Sequence, residues 1–273
     1  MRALRVKSVF LTIFACLLAL VFIFPFYVMI MMSTHVSEDI YKGIPLLPGN
    51  YALENLKTVF GAHFEIYYKN SIIVAVLATV LTVFVCMLAG YALSKYQFKG
   101  SKLLFTFILV TMMVPTQLGL VAFVVEMKNI GWINTLLPLI IPPAASGFGV
   151  YWMNNYIAGN LPSELIESGR IDGAGELRIF FNISVPCIKP AIFSLAMMQF
   201  VTNWNSFLIP LVVLNKNETY TVPIGIINLN SAYRNDLAAK IMALSIGTIP
   251  LLIVFLIASK SFIKGLTMGA VKG

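Results

Sequence analysis

The sequence predicts an all-α membrane protein with six transmembrane helices and both termini on the cytoplasmic side. Three observations carry this expectation. Charged residues make up 11% of the 273 residues and hydrophobic ones 59%, whereas a soluble domain is about 25% charged. Mean hydropathy is +0.88, so much of the surface must face lipid. Six windows free of Asp, Glu, Lys and Arg cover 8–37, 70–94, 103–125, 129–163, 190–215 and 241–259, and the shortest has 19 residues. A helix crosses a bilayer with about 20 mostly apolar residues. An ordinary soluble enzyme and a disordered chain are both excluded. Residues 1–273 read as a single transmembrane domain.

The spans are expected near 9–32, 71–93, 103–125, 133–153, 190–213 and 241–259. Lipid offers no hydrogen bonds, so each span must satisfy its own backbone as a helix. Barrel strands would alternate polar and apolar residues, and the run Ile72-Ile73-Val74-Ala75-Val76-Leu77 does not. The first span exceeds the roughly 7–15 apolar residues of a signal peptide and has no obvious cleavage site, so it is expected to be retained. Orientation follows from charge. The N-terminus, 94–102, 154–189 and the C-terminus hold 12 basic and four acidic residues, and the other segments hold seven of each. Lys/Arg bias places the first set inside. The basic balance therefore reflects membrane orientation, and its scattered triplets do not make a nucleic-acid surface.

The loop 33–69 contains Pro45, Pro48, Gly49 and Asn50, and reads as turns with one short amphipathic helix around 53–60. The loop 214–240 is polar and rich in Asn. It either meets an external partner or is simply solvated. Several spans carry Pro and Gly, notably Pro115, Pro138, Pro142, Pro143, Gly147, Gly149, Pro210, Gly247 and Pro250. Such clusters suit a pathway that changes shape, and they equally suit routine irregularity of membrane helices. No Asp, Glu, Lys or Arg lies within a span. Ion-coupled transporters keep such residues as relays, so the driving energy is expected to enter from elsewhere.

Cys16, Cys86 and Cys187 read as apolar fillers, since no disulfide-like set is formed. His35 and His63 lack metal-ligand spacing, the methionines read as gap-fillers, and no phosphate-cradling or hydrolase motif occurs.

The most informative stretch is the loop 154–189. Pro162-Ser163 is expected to start a helix with Ser163 as N-cap and with Glu164 and Glu167 in its first turn, where acids suit the helix dipole. Ser168 and Gly169 are small, and Asp172-Gly173 should end the helix. A second helix is expected to present Phe180, Phe181 and Ile183 on one apolar face before Pro186 and Pro190 break the chain. A short helix with a bare small-residue patch can be approached closely by another surface.

At these residues the sequence resembles the EAA loop of permease subunits of bacterial ABC importers. The family pattern is Glu-Ala-Ala, three residues, Gly, then about nine residues to Ile-x-Leu-Pro; here it runs Glu167-Ser168-Gly169, Gly173, and Ile183-Ser184-Val185-Pro186. Ser168 and Gly169 replace the two alanines, and Val185 replaces Leu. Further matches favour the sugar-uptake branch. They are Asn70-Ser71 at the start of span two, Tyr91-Ala92-Leu93 through Phe98-Lys99-Gly100, and Trp204-Asn205-Ser206-Phe207 with Pro210. The ending Gly265 to Gly273 is similar to that of the maltose-permease-type subunit.

The resemblance implies a membrane-spanning importer subunit with a cytoplasmic coupling helix between spans four and five. It implies a second permease subunit in a heterodimer, two ATPases, an external binding protein and a sugar substrate. ATP would be used by the partners, with no cofactor bound by this chain. Glu164, Glu167, Ser168, Gly169, Asp172, Gly173 and Ala174 are the candidate ATPase contacts, joined by Gly269, Lys272 and Gly273 in the tail. Dipole compensation also accounts for Glu164 and Glu167, and a plain turn also accounts for Gly173. Asn203, Trp204 and Asn205 are candidates for the substrate pathway, because an aromatic face and an amide suit a sugar. Packing between helices is the competing role. The alternative function is a secondary transporter or channel working without an ATPase.

Overall fold

A computed structural model describes residues 2–229 and 236–270, with side chains over 9–229 and 236–257. The helices in chain order are α1 Arg2–Met32, α2 Ser37–Lys42, α3 Ala52–Gly61, α4 Phe64–Lys95, α5 Ser101–Met113, α6 Leu120–Asn129, α7 Leu137–Ile140 and α8 Gly147–Asn160. They continue as α9 Ser163–Ile171, α10 Glu176–Ile179, α11 Val185–Cys187, α12 Lys189–Trp204, α13 Leu208–Val213, α14 Val222–Asn228 and α15 Leu237–Ala270. No strand occurs among the described residues. Among the described residues, three segments are long and apolar enough to cross a bilayer as single helices: Val9–Met32, Phe64–Lys95 and Leu237–Ile257. None of the apolar window of α1 is buried by the rest of the chain. Side chains such as Phe10, Val21 and Phe22 stand exposed, which is stable only against lipid or a partner helix. The chain is an α-helical membrane protein.

Three expected spans are not single helices. The stretch 103–125 breaks at Pro115, and Ser101–Met113 and Thr116–Asn129 meet at 87°. Proline has no N–H to continue the ladder, and it forces the preceding Val114 into an extended conformation (φ −84°, ψ 119°). The stretch 133–153 is broken by Pro138, Pro142 and Pro143 into α7, a 3₁₀ turn at Pro142–Ala144, and α8. The new start at α8 is capped by Ser146, whose Oγ accepts from the Gly149 N–H at 3.1 Å. The stretch 190–213 is split into α12 and α13 around 205–207, and α12 bends by 78° from the segment Glu176–Cys187. Apolar composition gave the length of these segments, but not where backbone donors run out. In the loops, α3 matches the helix expected near 53–60, whereas α2 and α14 were not expected.

The chain divides into two compact units. The first comprises 1–65 and 224–249. Within it, Ser37 Oγ donates to Asp236 Oδ1 at 3.0 Å and accepts from the Ala238 N–H at 3.1 Å. Asn55 Nδ2 donates to the carbonyls of Ser33 and His35, both at 2.8 Å.

The second unit comprises 66–223 and 250–273. Its core joins Cys86, Met87 and Tyr91 of α4 to Met153 and Ile157 of α8, and to Ile179, Phe180, Ile188 and Leu195. Glycine sets how closely α4 and α8 approach. A Cβ on Gly90 would lie 2.6 Å from Met153 Cβ, and one on Gly149 would lie 2.5 Å from Cys86 Sγ. Small residues at such crossings let helix backbones meet without a hydrophobic drive from water. Trp152 Nε1 donates to the Ala191 carbonyl at 3.2 Å, tying α8 to α12. The polar head of α4 pins the segment 218–222. Asn70 Nδ2 donates to the carbonyls of Glu218 and Tyr220 at 2.9 and 3.0 Å, and Ser71 Oγ accepts from the Val222 N–H at 2.8 Å.

Candidate functional site

The loop after α8 folds into α9, α10, a π-helical turn at Phe180–Ser184, and α11. Pro162, with φ −58° and ψ 137°, occupies the N-cap position, and no side chain caps the helix. Ser163 is therefore the first helical residue and not the expected cap. Glu164 lies in the first turn, and Glu167 falls one turn later. Glu164, Leu165, Glu167 and Ser168 are exposed, while Ile166 and Gly169 are buried. Ser168 Oγ donates back to the Glu164 carbonyl at 2.8 Å.

Gly169 faces inward. A Cβ there would approach Ile183 Cδ1 to 2.8 Å and Ile179 Cγ1 to 3.1 Å. Its smallness lets α9 lie on the turn that follows, so it is not part of the outward small-residue patch that the spacing predicts. The expected apolar face of the second helix is also redistributed. Phe180 is buried against Tyr91, with ring centroids 4.9 Å apart, Ile183 is half-buried, and Phe181 is exposed. Adjacent helical residues do not share a face.

The end of α9 is a Schellman motif. The Gly173 N–H bonds to the Arg170 carbonyl and the Ala174 N–H to the Gly169 carbonyl, both at 3.0 Å. Gly173 has φ +78°, a conformation that costs other residues about 1–2 kcal/mol. The turn seats half-buried Ala174 against the core. Gly173→Val is expected to loosen α9 and raise its amide exchange, with uptake falling about fivefold or more at unchanged membrane abundance. Unchanged exchange over 163–172 would refute that role for the turn.

Two contacts to the end of α4 fix this loop. Lys95 Nζ donates to the Leu161 carbonyl. Glu176 accepts from the Tyr96 hydroxyl at 2.6 Å and from Arg170 Nε at 2.7 Å and Nη2 at 3.3 Å. The Arg170 guanidinium also lies 5.9 Å from the Tyr96 ring centroid. The hydrogen bond from Arg170, and then that from Tyr96, hold the Glu176 carboxyl below the usual carboxylate range. Burial, reinforced by the bond to Glu176, pushes the Tyr96 phenol up to about 12. Sequence reasoning missed this cluster. Its visible signal was a pair of opposite charges flanking the Gly173 turn, Arg170 and Glu176.

The resulting site is a short helix clamped on one side to the end of a long apolar helix. Its other side is open and carries Glu164, Leu165, Glu167 and Ser168, with exposed Ile171 and Leu177 nearby. It holds no arrangement for bond-making chemistry and is suited to contact. The family model described as "Binding-protein-dependent transport system inner membrane component" matches residues 83–267. The chain belongs to this family. It is similar along its whole length to the trehalose/maltose transport system permease protein MalG of Thermococcus litoralis, at 36% identity over 100% of both chains. It is also similar to the arabinooligosaccharides transport system permease protein AraQ of Bacillus subtilis, at 34% identity over 98% of this chain and 97% of that one. Among solved structures, a chain of a bacterial ABC transporter involved in the import of the acidic polysaccharide alginate matches with a TM-score of 0.80. It is 21% identical and covers 96% of this chain and 98% of its own, a likeness of fold.

This inner-membrane importer component is a multi-pass transport subunit and not an enzyme; ATP hydrolysis belongs to a separate partner. Family membership implies ATPases, a binding protein and a second permease subunit. The remaining candidate residues are not gathered into the clamped loop. Asn203 lines a cavity in the second unit, with Nδ2 3.5 Å from Thr79 Oγ1. Trp204 is buried, stacked on Phe200 at 5.9 Å and edge-on to Tyr68 at 5.7 Å. Its aromatic face serves packing. Asn205 Nδ2 donates to the Val201 carbonyl at 2.9 Å and closes the end of α12. Neither Trp204 nor Asn205 is among the lining residues of that cavity. Gly269 lies in α15, while Lys272 and Gly273 are outside the described residues.

Proposed function

We propose that this chain is one of two permease subunits of an importer for a sugar or sugar derivative, with α9 as the helix that docks on an ATPase. In this reading the single permease domain has six spans, some of them bent, both termini are cytoplasmic, and α9 lies on the cytoplasmic side. An external binding protein delivers the substrate, and the pore is a heterodimer. The sugar class is supported by the substrates for which the relatives are named, trehalose/maltose and arabinooligosaccharides. The chain itself binds no cofactor, and ATP acts through the partners.

The observation that carries the docking role is the two-sided environment of α9. One side is fixed by Gly169 packing and by the Tyr96–Glu176–Arg170 cluster. The other exposes Leu165, Ile171 and Leu177 together with Glu164, Glu167 and Ser168. Shifting a two-state pore from 1:99 to 99:1 requires about 5.5 kcal/mol of differential binding. A free loop would dissipate such a bias in its own disorder, whereas a clamped helix can transmit it. Asp172, Gly173 and Ala174 shape the end of the docking helix, and Gly269, Lys272 and Gly273 are assigned an accessory ATPase contact. Asn203 is assigned to the substrate pathway.

The test is a cross-link. In a background with Cys187→Ser, Ser168→Cys carrying a short thiol-directed photoprobe is expected to capture a nucleotide-hydrolysing subunit. Failure to capture one, together with uptake by this chain alone in ATP-free vesicles, would instead establish the secondary-transporter or channel reading.

A further inference from the structure

Resting on the reading of this chain as a carbohydrate permease, we infer that the cavity beside Asn203 is a sugar subsite of this subunit, built for uncharged carbohydrate and against acidic sugars. The cavity lies wholly within the second unit and has a volume of about 610 Å³, inside the roughly 300–1,000 Å³ of small-molecule sites. Its walls come from α4, the bend at 115–119, the proline-broken stretch before α8, and the α12–α13 break. These are the places where the expected straight spans fail. Broken backbone at membrane depth is tolerated where it lines a cavity.

The chemistry of the wall selects the ligand. Its polar side chains are all hydroxyls and amides, with Gln199, Asn203, Thr116, Ser206 and Thr221 among them, and among the described residues no Lys, Arg, His, Asp or Glu lines it. Phe123 and Phe148 supply apolar ring surface. Amides that both donate and accept, hydroxyls, and aromatic faces match a sugar's hydroxyls and C–H faces. A uronate would enter without a countercharge, losing hydration that nothing in the wall replaces.

A second observation points to an occupant. Thr221 is 4% exposed, and its Oγ has no hydrogen-bond partner. A buried hydroxyl left unpaired is costly. Its oxygen is closed off from the cavity as it stands, and a turn of the side chain about χ1 would bring it to a ligand hydroxyl at this wall. Asn203 is similarly underused, since the 3.5 Å separation of its amide from Thr79 is at the long limit of a hydrogen bond.

Binding is measured on the assembled importer in nanodiscs, with the binding protein omitted so that its own selectivity does not enter. The probes are labelled maltotriose, arabinotriose and trigalacturonate. Saturable retention of a neutral trisaccharide is expected, with trigalacturonate bound at least about tenfold more weakly. Thr221→Val and Asn203→Leu should each weaken neutral binding by about five- to tenfold. Asn203→Lys should shift the neutral-to-acidic ratio towards the acid. That ratio is internal to each preparation and does not depend on how much protein folds. Equal binding of the acidic probe, or wild-type affinities in all three variants, would overturn the subsite. If the complete system with its binding protein imports a carbohydrate while the cavity binds none, the subsite alone fails. If it imports no carbohydrate, the proposed function fails with it.

Discussion

Gly169→Trp is expected to abolish ATP-driven uptake while leaving the chain in the membrane, and Gly169→Ala is expected to leave uptake close to wild type. The difference follows from what a side chain at this position meets. A single methyl would press on the end of Ile183, with Cδ1 2.8 Å from Cβ, and touch Ile179 at Cγ1, 3.1 Å, and Cδ1, 3.5 Å. The half-buried end of Ile183 can shift by a few tenths of an ångström. Alanine also favours the helix by up to about 1 kcal/mol over glycine, which offsets the crowding. An indole cannot be housed by side-chain rotation, because the neighbouring Ile179 and Phe180 are fully packed. Overpacking of this kind typically costs about 1–3 kcal/mol, and here the way to relieve it is to lift α9 off the π turn. The spanning helices are not touched, so membrane insertion should persist. Uptake in vesicles, membrane abundance and co-purification of the ATPase are measured together. Loss of all three would indicate misfolding, whereas retained abundance with lost ATPase co-purification is the expected pattern. Full uptake by the tryptophan variant would dismiss the idea that Gly169 seats the helix.

That variant also marks the limit of what the sequence could convey. Spacing placed Gly169 beside Ser168 in a run of small residues and predicted that both face a partner. Helical periodicity gives relative faces, not absolute ones, so only the packed structure separates inward Gly169 from outward Ser168. The apolar windows were legible because desolvating charge in lipid is expensive. The helices α1, α4 and α15 run through three of these windows, though α4 starts before its window and α15 continues beyond its own. At Pro115 and Pro142 hydropathy stayed high although the backbone turned, whereas Pro25 and Pro250 sit inside the continuous helices α1 and α15. Hydropathy counts side chains, whereas the turn depends on a missing N–H. For the same reason the cavity beside Asn203 was invisible. The sequence suggested Trp204 for its chemistry, but Phe200 and Tyr68 occupy its faces. Thr221 offered no sequence signal, since its distinction is an absent partner.

The second large effect is expected from Glu176→Lys, which should reduce uptake by more than about tenfold. Glu176 accepts three hydrogen bonds that join α10 to Arg170 on α9 and to Tyr96 just beyond α4. Reversing its charge leaves the Tyr96 hydroxyl without that acceptor and sets a lysine against Arg170. Exposed ion pairs contribute little to global stability, so the consequence should appear in the position of α9 and not in overall melting. Hydrogen exchange over 163–175 is the direct readout, and it should accelerate in Glu176→Lys and change less in Tyr96→Phe, which removes one bond of the three. The pH dependence has a definite sign. The Glu176 carboxyl is held low by its partners, so the contribution of the cluster is present above the ordinary carboxylate range and is lost as acid protonates the group below it. The Tyr96 phenol is raised to about 12, so its contribution holds below the ordinary phenol range and is lost as pH rises through that value. Between these limits the clamp is fully formed, and exchange over 163–175 should not vary from about pH 6 to 8 beyond the intrinsic rate. A clamp that loosened within that window would assign the titration to another group. Wild-type exchange and uptake in Glu176→Lys would remove the cluster from the coupling path, leaving Lys95 and Gly169 as the remaining anchors of α9.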